Sequence, residues 1–69
     1  MRVLVENVPV QGTVKAWVEV PAETPAADLQ DAIAQALADG NFTEVGFPAV
    51  TLDDDALVEV EFTVRELKP

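Results

Sequence analysis

The sequence predicts an α+β fold, a four-stranded mixed sheet with one helix packed on one face, in the order β-β-α-β-β. Three observations predict it. Residues 2–8 and 13–20 alternate apolar and polar side chains on either side of Pro9-Val10-Gln11-Gly12, the signature of two half-buried strands and a turn. Leu29, Ile33, Ala36 and Leu37 then recur at helical spacing between Thr24-Pro25 and Gly40. After them, residues 44–52 and 57–67 return to a Val- and Phe-rich, strand-like composition.

Antiparallel pairing of the first two strands has one register that satisfies every side chain. Arg2 falls opposite Glu19, Leu4 opposite Trp17 and Glu6 opposite Lys15, while Val3 meets Val18 and Val5 meets Ala16 on the other face. Each such pair contributes roughly 0.2–1 kcal/mol. A one-residue slip would move every valine from the core into water.

Thr24 is expected as the helix N-cap and Pro25 at the first helical position, with Asp28 in the first turns. Gly40 ends the helix in the left-handed conformation, with Asn41 next. The side away from the apolar stripe carries Asp28, Asp31, Gln35 and Asp39. Asp39 is placed against the negative end of the helix dipole, with no cation near it in sequence.

The last two strands are expected to form a hairpin around the turn Asp53-Asp54-Asp55-Ala56. That register places Val45 with Val64, Phe47 with Phe62, Ala49 with Val60 and Glu44 with Arg65. Gly46 and Pro48 interrupt the third element and mark it as an edge strand. With a right-handed crossover through the helix, the simplest sheet order is 2-1-4-3, with the first and last strands parallel at the centre.

This pattern resembles the ubiquitin-like β-grasp family over residues 1–37 and 57–67. Met1 with the alternating Val3 and Val5 is similar to the family's first strand. Val18-Glu19-Val20-Pro21 followed by Thr24, Leu29 and Ile33 is similar to its second strand, helix cap and helix core. Residues 60–67, from Val60 to Leu67, are similar to its last central strand. The resemblance implies partner binding through the open face of the sheet. Conjugated tags and sulfur carriers of that family end in Gly-Gly, whereas this chain reads Leu67-Lys68-Pro69, so neither activity is expected of it.

Sixty-nine residues make one domain, 1–69, that buries only about 60% of its unfolded surface. Cys and His are both absent, which excludes disulfide frameworks, zinc and haem ligation and thiol chemistry. There is no Ser-His pair, Tyr or Gly-rich phosphate loop, so the chain is not expected to be an enzyme and needs no cofactor. No apolar run approaches the ~20 residues of a membrane span and no basic region precedes an apolar stretch at the start, so the expected location is cytoplasmic.

Net charge is −9, and its distribution is uneven: between residues 16 and 64 there are eleven acids and no Lys or Arg. Binding to nucleic acid requires cations that displace counterions from phosphates, so direct contact with DNA or RNA, or with an anionic membrane, is not expected. A protein partner with a basic surface is. Leu4 and Trp17 are one candidate contact, because an exposed Trp beside an apolar neighbour makes a binding anchor. The acids form two further candidates, the helix ridge Asp28, Asp31 and Asp39 and the hairpin end Asp53, Asp54, Asp55, Glu59 and Glu61. The Asp triplet lacks the ligands and bend glycine of a calcium loop.

Two functions are compatible with this inventory. One is a non-catalytic protein-interaction module, monomeric or weakly dimeric, that binds through the open sheet face and the acidic surface. The other is a small phage-type inhibitor, similar in size and charge to anti-CRISPR and anti-restriction proteins, whose carboxylates mimic DNA phosphates. A solvated acidic surface without a partner is the third, structural reading of the same charges.

Overall fold

The computed structural model describes residues 1–46 and 51–68. Strand β1 spans Arg2–Val10, β2 Gly12–Glu19, helix α1 Leu29–Ala38, β3 Phe42–Glu44 and β4 Val64–Lys68, with 3-10 turns at Ala26–Asp28 and Asp54–Val58. The class is α+β, with four strands in one sheet and one α-helix on one face of it. The strands are ordered β3-β2-β1-β4, and every neighbouring pair is antiparallel.

The first hairpin follows the expected register through Arg2–Glu19, Val3–Val18, Leu4–Trp17 and Val5–Ala16. Arg2 Nε lies 3.2 Å from Glu19 Oε1. Beyond Val5 the register shifts, so that Val8 faces Val14 and the two residues Glu6 and Asn7 oppose Lys15 alone. The expected Glu6–Lys15 pair is therefore replaced. Glu6 Oε1 takes Arg65 Nε at 3.1 Å instead. The strands also run closer to the bend than the Pro9–Gly12 turn implied, with Pro9 opposite Thr13 and Val10 opposite Gly12. Gln11 alone is left between them, and the tight reversal holds Gly12 at φ +107, where a side chain would be strained.

Thr24 does not cap the helix. Its Oγ1 donates to the Pro21 carbonyl at 2.7 Å, and its N–H donates to the same oxygen at 3.2 Å. Thr24 is thus turned back onto the preceding loop, and the extended Pro25 leads into the Ala26–Asp28 turn ahead of α1. The C-terminus ends as expected. Gly40, at φ +79, donates to Leu37 O at 3.2 Å and Asn41 donates to Ala36 O at 2.8 Å, the paired bonds of a Schellman ending.

Ile33, Ala36 and Leu37 pack on the inward valines Val3, Val5, Val8, Val14, Val18 and Val20 together with Ala16. Leu57 and Phe62 join the same core.

The second half of the chain departs from the expected hairpin. Glu44 pairs with Ala16 of β2, not with Arg65, and the Val45 N–H donates to Lys15 O at 3.0 Å. Val64 pairs with Val5 rather than with Val45. The expected pairs Phe47–Phe62 and Ala49–Val60 involve residues outside those described. The order 2-1-4 is present, but β3 occupies the free edge of β2. Chain reach explains this. Only Asp39, Gly40 and Asn41 separate α1 from β3, a span of about 10 Å, and the Glu19 N–H holds Asn41 O at the end of β2 at 2.9 Å. The far side of β4 lies roughly three strand spacings, about 15 Å, from β2.

β4 runs antiparallel to β1, not parallel, because the preceding segment is fastened at the far end of β1. The Asp53 N–H donates to Pro9 O at 3.0 Å. The Asp53-Asp54-Asp55-Ala56 stretch is not a hairpin turn but the start of the Asp54–Val58 3-10 helix. From there the chain can only run back along β1 toward Arg2.

Candidate functional site

Residues 61–63 are held between helix and sheet by two side-chain amides. Gln30 Nε2 donates to Phe62 O at 2.9 Å, while the Phe62 N–H donates to Gln30 Oε1 at 2.6 Å. Asn7, in the β1 bulge, donates from Nδ2 to Glu61 O at 2.9 Å and accepts from the Thr63 N–H at 2.7 Å. Each amide stands where a neighbouring strand would be, which is why the expected strand 57–67 begins only at Val64.

This clamp sets an open groove between α1 and the Asp54–Val58 helix. Asp31, Ala34 and Gln35 line it from α1, and Asp54, Leu57 and Val58 from the 3-10 helix, with Val60 and Phe62 between. Leu57 and Phe62 are buried, whereas Val58 is 87% exposed, the most exposed large apolar side chain among the described residues. The result is a trough of mixed polarity, with an apolar floor and a carboxylate on each side. Asp31 also borders a second, shallower depression with Asp28, Glu23 and Thr24.

The acids anticipated as sites are thus divided. Asp31 and Asp54, from the two separate acidic sets, are brought to one groove, and Asp28 lies on its neighbour. Asp39, Asp53, Asp55, Glu59 and Glu61 are exposed but line neither. Among the described residues no group of three or more acids converges as a metal site. No helix among them is long and apolar enough to cross a membrane.

Asp39 accepts from Gln35 Nε2 at 3.1 and 3.2 Å and has no ion-pair partner among the described residues. The residue still faces the negative end of α1. Asp39→Asn keeps an acceptor for Gln35 and is expected to stabilise the fold by about 0.3–1 kcal/mol. A melting curve should show the rise and its decrease in high salt; an unchanged or lower melting temperature would refute the dipole argument.

Leu4 and Trp17 lie side by side on the face of the sheet opposite the helix, both half-buried. The Trp17 ring is flanked by cations from β1 and from β4, one strand further on: Arg2 Cζ is 5.2 Å and Lys68 Nζ 4.9 Å from its centroid. Arg2 and Lys68 are themselves opposite each other in the β1–β4 register. Cation–π contacts of this kind contribute about 0.5–1 kcal/mol at exposed sites. Arg2 beside Trp17 was legible as a diagonal neighbour in the hairpin register. Lys68 was not, since its position depends on the direction of β4.

Val58, Asn7 and Gln30 carried no signal that singled them out. A valine in an apparent strand reads as core, and an isolated amide reads as surface. Comparison with protein families, with curated proteins and with solved structures returned no match to this chain.

Proposed function

We propose that this protein is a non-catalytic interaction module whose acidic side docks a basic protein segment in the groove between α1 and the Asp54–Val58 helix. The observation that carries the reading is the placement of Asp31 and Asp54 in one trough with the exposed Val58. A segment presenting an apolar side chain flanked by Lys or Arg satisfies all three groups at once. The apolar contact supplies burial, and the carboxylates supply orientation and a fast, salt-dependent encounter.

The ten acids that lie outside β1, β2 and β4 have no cation among them in sequence, so the field around the groove is of one sign. This steers a basic partner and repels nucleic acid. The phage-type inhibitor reading uses the same acids but has no need of Val58, and that difference makes it testable.

Affinity capture from lysate of the source cells, with mass spectrometry, should recover a partner retained by the wild type. Val58→Asp is expected to lose it, and Asp31→Asn with Asp54→Asn is expected to weaken it by about tenfold at low salt. Loss with the Asn pair but full retention by Val58→Asp would replace the groove with charge mimicry. Retention by both variants would end the proposal.

A further inference from the structure

We propose that the open face of the sheet is a self-complementary surface through which two copies of this chain pair about a two-fold axis. All four cations, Arg2, Lys15, Arg65 and Lys68, lie on β1, β2 and β4. The same three strands carry only three of the thirteen acids, Glu6, Glu19 and Glu66. In a chain of net charge −9, these strands are near neutral, and the remaining acids belong to the helix, the edge strand and the loops.

The centre of the open face is apolar and aromatic, Leu4 beside Trp17, and its surround alternates in sign, with Arg2 and Lys68 against Glu19 and Glu66. A basic partner meets repulsion from the cations there, and an acidic one from the glutamates. A second copy, turned by two-fold symmetry, sets one copy's lysine or arginine against the other's glutamate and stacks Leu4 and Trp17 on their counterparts. Apolar centre and charged rim is also the arrangement in which central side chains carry most of the binding energy.

Long-range repulsion is the opposing term, and geometry limits it. Pairing the open faces puts α1 and the acidic loops of the two copies on opposite outer sides. With principal extents of 30 × 24 × 19 Å, those surfaces are separated by far more than the Debye length of about 8 Å at physiological salt. The same extents bound the contact at roughly 700 Å² per copy, just below the ~800 Å² per partner of a standard interface, so the dimer is weak and exchanging. It leaves both acid-lined grooves exposed.

Trp17 is the only tryptophan, so its fluorescence reports this face alone. Sedimentation velocity of the whole chain over a wide concentration range should show a shift from monomer toward dimer. Trp17 emission should move to the blue over the same range as water leaves the ring. Added salt screens the rim pairs but not the apolar Leu4–Trp17 centre, so the association should persist with only a modest loss, unlike the steep loss expected for capture of a basic partner by the groove. Leu4→Glu, which places a charge at the centre, and Trp17→Ala are each expected to weaken pairing at least about tenfold. Neither residue belongs to the buried core, so both variants are expected to fold, which circular dichroism checks. A monomer at every concentration with constant Trp17 emission overturns the proposal. So does a dimer that both variants leave intact, which would place the interface elsewhere.

Discussion

Replacing Ile33 with alanine is expected to remove a large share of the stability of this fold. Ile33 is fully buried at the centre of the α1 stripe, against the inward valines of β1 and β2. Such a truncation leaves a cavity and costs about 2–5 kcal/mol. A domain of this length holds only about 3–10 kcal/mol in total. No disulfide can compensate, because the chain has no Cys. The melting temperature should therefore fall by at least about 10 °C, or cooperative melting should disappear at room temperature. An unchanged curve would mean that α1 does not present this stripe to the sheet.

Gln30→Leu is expected to have the next largest effect, through a different mechanism. Side-chain volume is roughly kept, but the Phe62 N–H and C=O both lose their partner. Leaving such groups unpaired costs about 1–3 kcal/mol. The loss should appear as a lower denaturation midpoint and as faster hydrogen exchange at the Phe62 amide, with β1 and β2 amides little changed. Gln30→Glu keeps the acceptor for the Phe62 N–H and should cost less. Equal protection of the Phe62 amide in wild type and Gln30→Leu would show that the amide clamp does not hold the groove. If the clamp does hold it, the same variant should also weaken capture of the basic partner, because Phe62 and Gln30 both line that groove.

The two halves of the chain differ in how far local pattern reached. In the first hairpin, alternation, charge pairs and a Leu–Trp pair all agreed on one register, and four consecutive pairs stand where that agreement placed them. The bulge at Glu6 and Asn7 shows in the sequence only as a break in phase, since strict alternation from Val3 and Val5 would put Asn7 rather than Val8 on the core face opposite Val14. In the second half, Phe62 and Val64 matched strand spacing, but the same spacing also serves a segment clamped by amides from Asn7 and Gln30. The Asp triplet was read as a hairpin turn, but Asp favours the start of a helix as well, and that is what it forms.

What the sequence by itself determined was the set of local structures and the residue inventory: the first hairpin, the helix stripe with its glycine ending, the uneven charge, and the absence of Cys and His. Those depend on neighbours within a few residues, or on which residue types are present at all. Tertiary structure alone decided where β3 and β4 attach and in which direction β4 runs. It also decided which acids share a groove and which cations flank Trp17. These outcomes depend on contacts between residues distant in sequence, from Ala16 with Glu44 to Asn7 with Glu61 and Arg65 with Glu6. A single hydrogen bond of about 1 kcal/mol leaves no periodic trace in sequence, yet here a few of them select the strand order.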